Sequence, residues 1–194
     1  MIPHSLFRVL HRSLAGLGAV VLLASVPFAP AADEPAAVET RFQITGFFSP
    51  DREKDLVETF ARLPQFEVRK LDFESGEALL RYDPAKGFPN RDPDKAVEQL
   101  DSMLKQHSQH TFGCRPLCTL PREKLEAVEI GVSGLDCKAC SLAAYEAVYR
   151  LPGVEYAAAS FRERRVVARI DPAKTSRAAL ETALKERGIP LKTP

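Results

Sequence analysis

Two stretches of this chain have the same length, begin with LP and end with DPAK. Residues 63–86 read LPQFEVRKLDFESGEALLRYDPAK, and residues 151–174 read LPGVEYAAASFRERRVVARIDPAK. They lie 88 positions apart, and the same offset, with no gap, places Gly46 on Gly134. Identity at one fixed offset is the signature of a structural unit that occurs twice. The chain is therefore expected to contain two homologous domains.

The repeat places these domains at residues 40–118 and 125–192, with residues 119–124 as the linker between them. Each domain is about the smallest size that supports a hydrophobic core of its own. Residues 32–39 (ADEPAAVE) are expected to form a loose leader before the first domain.

Periodicity within the second unit predicts its elements. Apolar residues alternate over 128–132, as in a half-buried strand. Helical spacing follows over Ala144–Leu151, and two β-rich runs within 154–170 predict a hairpin. Ser176 is a helix cap for a second helix, and a short strand from Ile189 is expected to close the unit. The order is β-α-β-β-α-β.

The first unit repeats this order. A strand begins near Phe42, a hairpin turns at Ser75-Gly76, a helix carries Val97 and Leu104, and a last strand is expected over Thr111–Leu117. This is the ferredoxin-like arrangement, in which two helices cover one face of an antiparallel sheet. The predicted fold class is α+β, with two tandem ferredoxin-like βαββαβ domains after an N-terminal signal peptide. The fold by itself names no function.

Residues 1–31 have the pattern of a secretory signal. Arg8 and Arg12 precede the apolar stretch Leu14–Val26, and Ala29-Pro30-Ala31 offers a small-x-small cleavage site. The apolar stretch is short for a membrane span, which needs roughly 20 apolar residues. We expect an exported protein, periplasmic or secreted, with no stable membrane span after cleavage. An uncleaved membrane anchor is the alternative.

Composition excludes several classes of function. The chain is 45% hydrophobic and 27% charged, with a formal net charge of +1. That balance is globular rather than disordered, and it gives no electrostatic support for nucleic-acid binding. The sequence contains no Gly-rich phosphate loop, no GxSxG and no HExxH. We expect a protein that is not an enzyme.

The loop Gly134-Leu135-Asp136-Cys137-Lys138-Ala139-Cys140 joins the first strand of the second unit to its first helix. Gly134, Cys137 and Cys140 match the pattern Gly-Met-x-Cys-x-x-Cys, with Leu135 in place of the Met. The second unit thereby resembles the heavy-metal-associated domain of copper metallochaperones, metal-transporting P-type ATPases and periplasmic mercury-binding proteins. The likeness extends over nearly all of 125–192 and implies a metal-binding loop, with the Met position mostly a packing position.

The chemistry of this loop also favours a metal. A helix N-terminus and Lys138 favour thiolates at Cys137 and Cys140, and thiolates are ligands for soft metals. Two sulfurs satisfy linear monovalent copper or divalent mercury, whereas zinc takes four ligands. Asp136 offers an oxygen, and an acid at this position is similar to zinc- and cadmium-exporting ATPase domains. The alternative for Asp136 is a solvated loop acid or a helix cap.

Three interpretations of the Cys137–Cys140 pair stay open: reversible metal binding, a thiol–disulfide couple, and a structural disulfide. Export removes the reducing buffer of the cytosol, which favours the redox couple, but the thioredoxin-like context of a redox CxxC is missing. A structural disulfide here would close a very short loop and stabilise little. A further alternative is a protein-interaction module that binds no metal.

The first unit lacks these ligands. At the same offset Cys137 corresponds to Ser49 and Cys140 to Arg52, whose charge would repel a cation. We expect a degenerate copy that serves as scaffold, docking surface or dimerisation half. Phe47 or Phe48 would be an exposed contact patch or part of the core.

A second group of possible metal ligands is weaker: His107, His110, Cys114 and Cys118. Four residues along a strand span about 13 Å, too far for a Cys114–Cys118 disulfide unless Pro116 bends the chain. Cys114 is expected to be a buried apolar side chain, with Cys118 free or paired elsewhere. The predicted function is metal buffering, sequestration or transfer to a metal transporter or a client metalloprotein, through Cys137, Cys140 and Asp136.

Overall fold

The computed structural model describes residues 37–88 and 92–192. The predicted signal peptide, residues 1–31, lies outside the described residues, and so does most of the predicted leader. The first strand begins at Val38, so the last two residues of the predicted leader, 32–39, belong to that strand.

The first half of the molecule is a four-stranded antiparallel sheet with two main helices. Its strands lie in the order β2-β3-β1-β4. Its elements are β1 (Val38–Thr45), α1 (Glu53–Phe60), β2 (Phe66–Asp72), β3 (Glu77–Tyr82), the single-turn α2 (Pro84–Gly87), α3 (Ala96–His107) and β4 (Gly113–Arg115).

The second half is a three-stranded antiparallel sheet with two helices, in the strand order β5-β7-β6. Its elements are β5 (Glu126–Gly131), α4 (Lys138–Tyr149), β6 (Val154–Ser160), β7 (Arg165–Ile170) and α5 (Arg177–Glu186). The first half therefore follows the order β-α-β-β-α-β, with α2 as an extra turn, and the second follows the order β-α-β-β-α without a sixth element. The predicted α+β, ferredoxin-like fold class is confirmed.

The last strand of each half is shorter than expected. The first is limited to Gly113–Arg115, because Pro116 has no backbone N–H for the ladder. In the second half the expected strand from Ile189 is a single bridge between Val132 and Leu191. Pro190 interrupts the ladder there in the same way, although its carbonyl still accepts a 2.8 Å hydrogen bond from Ser133.

The two DPAK tetrapeptides form the same local structure. In each copy the aspartate accepts a hydrogen bond from the backbone N–H two residues ahead, at 2.8 Å for Asp83 and 3.0 Å for Asp171. Each aspartate also pairs with the lysine three residues ahead at 3.2 Å. Gly46 and Gly134 likewise share a left-handed backbone, with φ of +82° and +75°. The sequence correspondence thus persists as a structural one.

Each half has its own hydrophobic core between sheet and helices. The first core includes Leu80 of β3 and Leu100 of α3, both fully buried. The second includes Ile170 of β7 and Leu180 of α5, also fully buried. Phe48 belongs to the first half by chain position, yet it packs in the second core.

Leu100→Ala should destabilise the protein by about 2–5 kcal/mol, because it leaves a cavity between α3 and the sheet. Val57→Ala on α1 is the control, since Val57 is 47% exposed and its truncation should change stability by about 0.5 kcal/mol or less. Urea unfolding followed by circular dichroism measures both. Equal losses for the two variants would contradict the assignment of the first core.

Candidate metal centre

Both predicted sulfur ligands lie at the start of α4. Cys137 is the N-cap residue in extended conformation, and its Sγ accepts a 3.3 Å hydrogen bond from the backbone N–H of Cys140. The two Sγ atoms are 2.7 Å apart, and both residues are free cysteines. The CxxC spacing therefore brings two sulfurs together in one helical turn at the surface.

The residues before the thiols fix the loop. Gly134 has a left-handed backbone, and a Cβ there would meet only Pro190 Cδ at 3.8 Å, so conformation rather than space requires the glycine. Leu135 is 2% exposed and packs in the second core. This is the position at which the family pattern has Met, and the structure confirms that it is a packing position. Leu135 therefore anchors the loop in the second core, while the residues from Asp136 to Ala139 stay exposed.

The environment of Cys137 favours its thiolate form. Hydrogen bonds from the Cys140 thiol and then from the Cys140 backbone N–H lower the pKa of Cys137, against a smaller opposing effect of the Asp136 carboxylate. Burial has the opposite effect in the first core and raises the pKa of Cys114 to about 12. Burial also raises the pKa of Cys118. A charged sulfur is therefore most accessible at Cys137 among these three.

The structure brings together the two sulfurs but no larger ligand cluster. Within residues 37–88 and 92–192, no group of three or more His, Cys, Asp or Glu side chains is arranged to hold a metal ion. Asp136 is exposed beside Cys137, and its role as a ligand stays a prediction. Cys114 is 6% exposed within the first core, as expected of a buried apolar side chain.

In the first half, the corresponding loop holds a fixed positive charge. The guanidinium of Arg52 lies 5.6 Å from the ring centre of Phe48 and 5.2 Å from that of Phe112, and it pairs with Asp55 at 2.6 Å. Arg52 corresponds to Cys140, so a side-chain cation stands where the other loop has a sulfur ligand. The expectation that this loop does not bind a cation has a physical basis in these contacts.

Phe47 and Phe48 are each 2% exposed, so neither forms an exposed patch. Phe47 packs in the first core, with its ring 5.3 Å from that of Phe73. Phe48 contacts Tyr145 of α4 at a ring distance of 5.7 Å. The sequence patterns did not single out Tyr145, although it lies beside Ala144 on the apolar face of a helix otherwise rich in small residues. A large aromatic ring among small residues was the feature that could have indicated a packing contact there.

The second sheet carries a cleft that is separate from the thiols. A cleft of about 550 Å³ opens on the helix-free face of the second sheet, and neither Cys137 nor Cys140 lines it. Its arginines are already paired, Arg165 with Glu129 at 2.8 Å and Arg169 with Glu74 at 3.6 Å. We therefore place the functional site at the thiols, because reactive ligand chemistry and not cavity size identifies it.

Alkylation by iodoacetamide at neutral pH should label Cys137 before Cys114, by roughly a hundredfold or more in rate, because only the thiolate reacts. The lowered pKa of Cys137 also means that its labelling should persist to more acidic pH than that of an ordinary cysteine. Peptide mass spectrometry of timed samples measures the order. Native-state labelling of Cys114 as fast as that of Cys137 would contradict the assignment.

Comparison with known proteins supports one family. No family model matches the chain, and no curated protein matches it. Oxidized MerP from Ralstonia metallidurans CH34 is 31% identical, with 35% of this chain and 94% of that chain covered and a TM-score of 0.34. The N-terminal domain of a potential copper-translocating P-type ATPase from Bacillus subtilis, solved in the Cu(I)-loaded state, is 26% identical over 35% of this chain and 85% of that chain, with a TM-score of 0.34.

The N-terminal soluble domains of Bacillus subtilis CopA cover more of the chain, 81% of it and 94% of their own length, at 18% identity and a TM-score of 0.33. The 31% identity over nearly all of MerP agrees with the motif from Gly134 to Cys140 and its position at the start of α4. The chain belongs to the heavy-metal-associated domain family, with the cysteine motif in its second half.

Proposed function

We propose that this protein is an exported heavy-metal-binding protein that carries a soft metal ion on Cys137 and Cys140. The observation that carries the proposal is the pair of free sulfurs, 2.7 Å apart at an exposed helix N-terminus. Family membership supports it, and so do the solved relatives described as binding copper, among them the copper binding domain from HMA7, a P-type ATPase, and the Cu(I)-loaded ATPase domain.

Two thiolates at the surface suit a metal that is bound and passed on. Sulfur ligands prefer soft ions, and two sulfurs satisfy linear monovalent copper or divalent mercury. Zinc or cadmium would need Asp136 and further donors. Because Cys137 is exposed and Cys140 partly so, ligands of a second protein can approach the ion before the first sulfur leaves. The proposed role is binding and transfer rather than catalysis.

We further propose that residues 1–31 direct the protein out of the cytoplasm and that its partner is a metal transporter or a client metalloprotein. Among the residues that the structure describes, no helix is both long enough and apolar enough to cross a membrane. Localisation is tested by fractionating cells that express the full chain, with the mature N-terminus read by mass spectrometry.

The double variant Cys137→Ser, Cys140→Ser should lose all tight binding of monovalent copper, because neither hydroxyl replaces a thiolate for a soft ion. Native mass spectrometry of the reduced protein, with a graded chelator as competitor, measures the stoichiometry. Cys118→Ser is the matched control and should retain one ion. Full stoichiometry in the double variant would show that the site lies elsewhere.

The two close sulfurs also suit a thiol–disulfide couple, which is the second candidate function. It predicts a reduction potential near those of catalytic oxidoreductases and disulfide exchange with a substrate protein. Reduced wild-type protein that retains no metal, but exchanges disulfides, would overturn metal binding in favour of this alternative.

Asp136→Asn tests the preference between metals. If the carboxylate is a ligand, the variant should bind zinc about tenfold or more weakly and leave the affinity for monovalent copper unchanged. Chelator competition measures both affinities. Glu126→Gln, at the far end of β5, controls for the loss of one negative charge. Equal zinc affinity in all three proteins would remove Asp136 from the site.

A further inference from the structure

The loop of the first half that corresponds to the cysteine loop packs into the core of the second half. We call residues Gly46–Ser49 the docking loop. Its Phe48 is 2% exposed and belongs to the second core, although its chain neighbours belong to the first half. The Phe48 carbonyl also accepts a 2.9 Å hydrogen bond from the backbone N–H of Ala159, on the edge strand β6. One residue thus joins both the core and the sheet edge of the other half.

A second contact fixes the docking loop to α4. The hydroxyl of Tyr145 accepts a buried 2.9 Å hydrogen bond from the backbone N–H of Gly46. Gly46 is held in turn by the first half, because its backbone is left-handed and a Cβ at this position would collide with the carbonyl of Thr111. Tyr145 is therefore hydrogen-bonded to a backbone position that packs directly against the Thr111 carbonyl of the first half.

A third contact holds the end of α4. Arg115, the last residue of β4, donates hydrogen bonds to the backbone carbonyl oxygens of Val154, at 3.0 Å, and of Glu155. Its guanidinium lies 4.4 Å from the ring centre of Tyr149. The register of β6 shifts between Val154 and Tyr156, which leaves the Glu155 carbonyl available for this contact. The C-terminal half of α4 is thus fixed by groups of the first half.

The two thiols lie at the opposite end of the same helix. Cys137 caps α4, and its carbonyl accepts a 3.1 Å hydrogen bond from the Ser141 N–H. Tyr145 follows Cys137 by eight residues, about 12 Å along the axis. A helix of this length moves nearly as a rigid rod, so a change of tilt at Tyr145 also moves the first turn. The contacts to the first half therefore bear on the position of the sulfurs.

We propose that the first half is an intramolecular positioning element for the metal loop, with Tyr145 and Phe48 as positioning residues. Tyr145 follows Cys140 by five residues on α4, and Phe48 packs against Tyr145. Each fixes α4, and α4 fixes the geometry in which Cys137 and Cys140 present their sulfurs. The expected effect on metal release rests on the proposed function. The expected effect on the geometry of the metal-free protein does not rest on it.

The test compares Tyr145→Phe with Ile170→Val. The first removes only the hydroxyl that receives the Gly46 hydrogen bond, and the second trims the same core at a residue of β7. We expect monovalent copper to dissociate from Tyr145→Phe about three- to tenfold faster than from wild type, and from Ile170→Val at the wild-type rate. Stopped-flow transfer to a chelator measures the rates, and thermal melts show whether the two variants are matched in stability.

A second readout needs no metal. The backbone amide of Cys140 donates to Cys137 Sγ, so its ¹H–¹⁵N resonance reports the geometry of the thiol turn. It should shift in Tyr145→Phe and in Phe48→Ala, should return toward the wild-type position in Phe48→Leu, and should stay unchanged in Ile170→Val. If Phe48→Ala does not fold, Tyr145→Phe and Phe48→Leu decide the matter.

Each outcome bears on one claim. A wild-type protein that binds no metal, but shows the Cys140 shift in Tyr145→Phe, overturns the proposed function and supports positioning. A wild-type protein that binds metal, with equal release rates and equal Cys140 resonances in Tyr145→Phe and Ile170→Val, overturns positioning and leaves metal binding in place.

Discussion

The burial of Phe48 is the interaction on which the arrangement of the two halves depends. The ring is covalently part of the first half and packs in the core of the second, 2% exposed. Withdrawing the docking loop that carries this ring would expose the ring, open a cavity against Tyr145, and separate the buried Gly46 N–H from its acceptor, the Tyr145 hydroxyl. Each of these changes is costly. The two halves accordingly belong to one compact unit.

The same βαββαβ frame supports two different loops at the same place. In the second half, a left-handed glycine and a buried leucine present two sulfurs to the solvent. In the first, a left-handed glycine precedes two phenylalanines that turn inward, and Arg52 provides a fixed cation between aromatic rings. One loop presents its sulfurs to the solvent, while the other is closed by its own side chains. The chemical difference resides in a few side chains, not in the backbone.

Surface charge contributes little to this organisation. Ion pairs such as Arg165 with Glu129 and Arg162 with Asp51 are substantially exposed. Exposed pairs typically contribute about 0–1 kcal/mol each and are screened by salt. Arg115 differs, since it is about one-quarter exposed and donates to backbone carbonyl oxygens of the other half. Hydrogen bonds of that kind, with the apolar contacts of Phe48, hold the halves together.

Most of the fold could be predicted from the sequence, because the information is local. Alternation and helical spacing predicted the element order, and Ser176 caps α5 through its side chain as expected. The closing strands were harder, since Pro116 and Pro190 remove ladder donors and pairing over so few residues depends on the neighbouring strand. Periodicity did not indicate the single-turn α2 over the first DPAK segment or the 3₁₀ turn at Pro93–Lys95.

The sequence by itself determined the repeat, the fold class and the two sulfur positions, because CxxC spacing at a helix start is a short-range property. Only the tertiary structure decided where Phe47 and Phe48 point, since two adjacent apolar residues look alike in a sequence. It also decided that Tyr145 meets Gly46, a contact between residues 99 positions apart. Such a contact depends on how two sheets and their helices pack, and no local pattern encodes it.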